Sequence, residues 1–109
     1  MKPVNKMYVI VRNDLSVAYR CVQGAHALTQ YSFENPKNFR DWKNEYLIFL
    51  SIPSLLSLKW FVKQLKNNYV VHSVFKEPDL GNHMTAVAFR NDLLNDKMIE
   101  IVKELPLTY

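Results

Sequence analysis

Two stretches of the chain hold most of the side chains able to do chemistry. The first carries Asn13, Asp14, Arg20, Gln23 and His26; the second carries Glu77, Asp79, His83 and Thr85. Carboxylates, a hydroxyl, amides, imidazoles and a guanidinium of this kind can donate and accept hydrogen bonds, orient a bound molecule and, through a carboxylate or a histidine, move protons. Arginine stabilises negative charge but is no base near neutral pH. By themselves the two stretches do not specify a reaction.

Other chemistries find little support. The chain has no Gly-x-Gly-x-x-Gly or Walker loop, no His-Glu-x-x-His and no Gly-x-Ser-x-Gly elbow. His26, His72 and His83 lack metal-ligand spacing, and a single cysteine excludes an internal disulfide or a multi-cysteine zinc site. No metal or cofactor is expected. Cys21 reads as a small core residue rather than a nucleophile. His72 reads as structural, and Asp14 suits a turn or cap as well as it suits a site.

The elements that must position these groups follow from periodicity. Residues 7–12 form a continuous β-branched and aromatic run, which predicts a buried central strand. Over residues 17–33 Val17, Cys21, Ala25 and Leu28 make one apolar helical stripe, with Arg20, Gln23, Ala27 and Gln30 on a mostly polar face. Asn35-Pro36 predicts the start of a short helix through Phe39 and Trp42. Residues 45–51 read as the second strand. Pro53-Ser54 then introduces a helix to about Asn67, buried through Leu58, Phe61, Val62 and Leu65. Residues 69–76 read as the third strand, 77–83 as a loop and 85–89 as the fourth strand, antiparallel to the third. Asn91 would cap a last helix with Leu94, Met98, Ile101 and Leu105 inward.

The order β-α-α-β-α-β-β-α predicts a three-layer α/β/α arrangement around a mixed four-stranded sheet, formed by one domain over residues 1–109. Thioredoxin-like and ferredoxin-like folds use similar pieces, but without Cys-x-x-Cys the redox reason for the first is gone. Ligands collect beyond the carboxyl ends of parallel strands. The ends of the first and third strands and the start of the fourth should therefore bring both polar stretches to one edge.

Charge is uneven along the chain. Residues 1–76 carry 11 basic and 4 acidic side chains, and residues 77–109 carry 3 and 6. A basic body suits a polyanion such as RNA. Lys59, Lys63 and Lys66 share one helix face, and Arg12, Arg20, Lys37, Arg40 and Lys43 add further candidates for phosphate contact. Trp60 falls outside the apolar stripe of its helix, where it could stack a base or meet another helix. No apolar run approaches the ~20 residues that span a bilayer. With no secretory signal at the start, the expectation is a cytoplasmic protein.

Residues 8–15, Tyr-Val-Ile-Val-Arg-Asn-Asp-Leu, followed by Gln23-Gly24-Ala25-His26-Ala27, resemble the signature of the archaeal/eukaryotic type of peptidyl-tRNA hydrolase. That family opens with a strand ending in Arg-x-Asp-Leu and a helix carrying Ala-x-Gln-x-x-His-Ala. The similarity runs to Thr85-Ala86-Val87-Ala88, which matches its threonine-bearing fourth strand. The resemblance implies metal-free hydrolysis of the ester joining a peptidyl group to tRNA, and a homodimer. It assigns Asp14, Gln23, His26 and Thr85 to the site, with the loop acid at Asp79 or Glu77. For the ester hydrolysis it implies, Asp79 or Glu77 would orient the water with Thr85 helping. Arg20, Gln23 and His26 would supply donors to the oxyanion or the terminal adenosine, and proton transfer would fall to the carboxylate or to His26. This chain departs from the family between Asp-Leu and the helix. A Gly/Lys-rich loop with a lysine regarded as catalytic is shortened there to Ser16-Val17-Ala18-Tyr19, and Arg20 is the nearest cation. A tRNA- or RNA-binding module without catalysis, or a protein-interaction domain, would fit the same pieces.

Overall fold

Alternation along β1 (Lys6–Arg12) sends Met7, Val9 and Val11 to one side of the sheet and Tyr8 and Ile10 to the other. Both sides are covered, which makes β1 the central strand expected from its unbroken apolar run. The fold is that of a computed structural model describing residues 5–108, the side chain of residue 93 excepted. Beside β1 lie β2 (Tyr46–Ile52), parallel to it, and β4 (His83–Arg90), antiparallel. β3 (His72–Glu77) pairs antiparallel with β4, giving the order β2-β1-β4-β3.

The parallel pair needs a crossover, supplied by α1 (Val17–Glu34) and α2 (Pro36–Trp42). Their residues Ala27, Tyr31 and Trp42 pack on Met7, Val9, Val11, Ala86 and Ala88. On the opposite face α3 (Leu55–Asn67) and α4 (Asp96–Lys103) cover Ile10, Leu50, Val87 and Phe89 with Leu58, Phe61, Leu65, Met98 and Val102. This is the expected three-layer α/β/α arrangement with a mixed four-stranded sheet.

The inward face of α1 is not the expected one. Gln23, Gly24, Ala27 and Tyr31 are buried, whereas Val17 is 60% exposed and Cys21 and Ala25 are exposed too. Cys21 is therefore not a core residue. The helix sits with Gly24 against the sheet, because a Cβ there would overlap the ring of Phe49 on β2. Gln23 beside it is drawn inward by polar partners on β3 and β4.

Boundaries also differ, and β4 starts at His83 rather than Thr85. β3 starts at His72 rather than Tyr69, because residues 69 and 70 close α3. Tyr69 has φ of 55°, its N–H donates to Lys66 O at 3.1 Å, and the Val70 N–H donates to Leu65 O at 3.0 Å. This is a Schellman motif with tyrosine in the left-handed position. α4 is capped by Asn95, whose side chain accepts from the Met98 N–H at 2.9 Å. Asn91 opens a 3-10 turn instead, and its Oδ1 accepts from the Lys6 N–H at 2.9 Å.

Candidate functional site

Phe75 pairs with Ala86 and Lys76 with Met84, so Thr85 is the extra residue of a β-bulge. Met84 packs toward α3 and α4, while Ala86 joins the core under α1. The bulge turns Thr85 to the α1 side as well, breaking the alternation that would have sent it the other way. A bulge frees backbone groups that still need partners. Arg12 Nη1 donates to the Met84 carbonyl at 3.3 Å, and the same guanidinium grips Asp14 through two bonds of 3.0 and 2.7 Å. Asp14 is held below the ordinary aspartate range chiefly by that hydrogen bond. Arg12 and Asp14 thus brace the bulge from the turn after β1.

Behind the bulge, Thr85 and Gln23 are both wholly buried. The Thr85 hydroxyl donates to Gln23 Oε1, and Gln23 Nε2 donates to Glu77 Oε1 at 2.9 Å. The Tyr19 hydroxyl reaches the same carboxylate oxygen at 3.3 Å, and the Asp79 N–H reaches Oε2 at 3.4 Å. Glu77 lies below the usual glutamate range, first because Gln23 donates to it, with Asp79 N–H, Tyr19 and the nearby His26 adding to the effect. Burial and the Glu77 charge push the Tyr19 phenol up. His26, one turn along α1, lies flat on Phe75 of β3 with ring centres 4.3 Å apart and planes 8° from parallel.

The expected convergence of the two polar stretches is therefore present, and it comprises Gln23, His26, Glu77 and Thr85. Of the two candidate acids, Glu77 makes the contacts with α1, whereas Asp79 is exposed and joins through its backbone. Gln23 and Thr85 are wholly buried, so they face only their protein partners and not an outside molecule. Arg20 does not join the cluster as a free donor. Its guanidinium donates to Leu15 O and Asn13 O, both at 2.8 Å, and to Thr108 O at 3.3 Å. Tyr19 escaped the sequence argument although the spacing 19, 23, 26 puts it on the same helix face as Gln23 and His26.

The candidate phosphate contacts divide between two faces. Lys59, Lys63 and Lys66 are exposed on α3, and Arg40 and Lys43 are exposed at α2 on the other side of the sheet, the side that carries α1. Trp60 is half exposed on α3. His72 is structural in its contact, Nδ1 lying 2.7 Å from Val70 O. Among the described residues no group of three or more His, Cys, Asp or Glu is placed to hold a metal ion, and no helix is long and apolar enough to cross a membrane.

No family model and no curated protein matches the sequence. A solved structure of a protein of unknown function from Agrobacterium tumefaciens strain C58 is similar to this chain. Its TM-score is 0.67 over 97% of this chain and 98% of that one, with 15% sequence identity. That likeness speaks for the fold alone.

Proposed function

We propose that the protein hydrolyses the ester joining a peptidyl group to the 3′ end of tRNA, acting in the cytoplasm with Glu77 and His26 facing the substrate. The observation that carries this is the meeting of Gln23, His26, Thr85 and one loop acid in a single cluster, Gln23 and Thr85 being 62 positions apart. These are the residues quoted for the family resemblance.

Glu77 Oε1 already accepts from Gln23 and Tyr19, while Oε2 has only the long bond from Asp79 N–H, so Oε2 is the atom that orients water. His26 takes the water's proton as the oxygen attacks the ester carbonyl. The carbon–oxygen bond to the ribose then breaks, and His26 returns that proton to the leaving 3′ oxygen. Peptide and tRNA are released. The anionic Glu77 stabilises the transient imidazolium, and the Tyr19 hydroxyl is a neutral donor for the oxyanion.

The test measures turnover and binding of a defined peptidyl-tRNA at low salt. Glu77→Gln and His26→Asn should each lower the rate by about 10²-fold or more, while Asp79→Asn keeps most of it. Replacing Arg40 and Lys43 with Ala should reduce the salt slope of binding by about 1 per residue. The Lys63→Ala, Lys66→Ala pair, on the far face, should leave the slope unchanged. A folded protein that neither binds nor cleaves would end the proposal.

One observation favours a second reading, a tRNA-binding module without catalysis. Arg20, the nearest cation to the position of the family's lysine, is spent on backbone carbonyls. Salt-dependent binding without turnover would select it.

A further inference from the structure

We propose that the cleft between α4 and the start of the β1–β2 pair binds a small amphipathic carboxylate, an acyl or aryl chain bearing one acid group. The cleft encloses about 410 Å³, a volume suited to a small molecule. Its floor is Tyr8 and Ile48, directly opposite each other in the β1–β2 register, and its walls include Ile99 and Val102 of α4. α4 has only 8 residues, and Tyr8 and Ile48 beneath it are left partly uncovered.

Charge selects the ligand. Lys6 and Lys103 are the charged residues of the lining, and no acidic residue belongs to it. Lys6 has no ion pair among the described residues. Lys103 has only Glu100, at 3.8 Å with both side chains well exposed, and a pair so exposed is weak. An incoming carboxylate therefore displaces little. The Tyr8 hydroxyl makes no hydrogen bond among the described residues, and burial raises its pKa, so it stays protonated as a donor. A second cleft of about 420 Å³ beside Trp42 also has two cations, Arg40 and Lys43. Its indole N–H, however, is already given to Tyr46 O at 2.9 Å, so it offers an entering head group less.

Calorimetric titration of the full chain with decanoate, below its micelle concentration, tests the inference. The expected result is saturable binding of one decanoate per chain, with none for decyltrimethylammonium. Ile99→Trp, which fills the cleft, should abolish binding, and Lys6→Glu should weaken it at least tenfold. The milder Lys6→Ala guards against a folding defect, and Leu47→Glu in the second cleft should change nothing. Four results would overturn the inference: no saturable binding by the folded protein, equal binding of the cation, loss with Leu47→Glu but not Ile99→Trp, or binding only after residues 1–4 are removed. The proposal is independent of tRNA hydrolysis.

Discussion

Glu77 decides which way round the Gln23 amide sits. A carboxylate only accepts, so Nε2 must face it, and Oε1 is left facing Thr85, whose hydroxyl must donate. Thr85→Val keeps the shape but strands a buried amide oxygen. It should cost about 1–3 kcal/mol in urea unfolding. The Gln23→Leu, Thr85→Val double variant should cost less than the sum of the two single changes, by about 0.5–3 kcal/mol. Additive costs would mean that the two side chains do not depend on each other. The hydrogen bond from Gln23 Nε2 lowers the Glu77 pKa on folding, which fixes the sign of its pH effect. Its contribution is present above the ordinary glutamate value of about 4.3 and is lost as pH falls through the folded-state value. The Tm advantage of the native chain over Glu77→Gln should therefore shrink on acidification, and an advantage that grew would reverse the assignment. Sequence could not choose between Glu77 and Asp79. Only two positions separate them, and the choice rests on the 3-10 turn that directs the Asp79 N–H back onto the Glu77 side chain.

At the scale of elements, strand order and most strand centres were legible because apolar runs and crossover rules are strong signals. The seating of α1 was not. Its buried face carries a polar Gln23 and the small Gly24 and Ala27, none of which registers as hydrophobic, while Val17 and Val22 point to solvent. The bulge was equally hidden, because it exists only in the pairing of β4 with β3. Gly24→Ala separates local preference from packing. An alanine gains about 1 kcal/mol of helix propensity, but its methyl meets the Phe49 ring, and overpacking costs about 1–3 kcal/mol. The variant should therefore be no more stable than the native chain, and less stable in most of that range. In a Phe49→Leu background, with the ring gone, the same change should stabilise. If Gly24→Ala stabilised the native chain by its full propensity gain, α1 would not be seated through this glycine.

For the molecule as a whole, the order β2-β1-β4-β3 leaves β2 on an edge, and residues 106–108 cover half of it. The Ser51 N–H donates to Pro106 O at 2.9 Å, and the Thr108 N–H donates to Phe49 O at 3.1 Å. Arg20 then links Thr108 O to the carbonyls of Asn13 and Leu15, fastening this strap to the turn that leads into α1 and the polar cluster. A three-residue strap is too short to show strand periodicity, which is why Arg20 read as a free cation when it is a tie between distant segments. A chain ending at Leu105 loses two edge hydrogen bonds, each contributing about 0.5–1.5 kcal/mol, and exposes a pairing edge on β2. The Ser51 amide should then exchange with solvent far faster, stability should fall by about 1–3 kcal/mol, and the protein should self-associate more with rising concentration. Unchanged protection at Ser51 would show that the edge is held without the strap, and would leave Arg20 free to be tested again as a donor to the site.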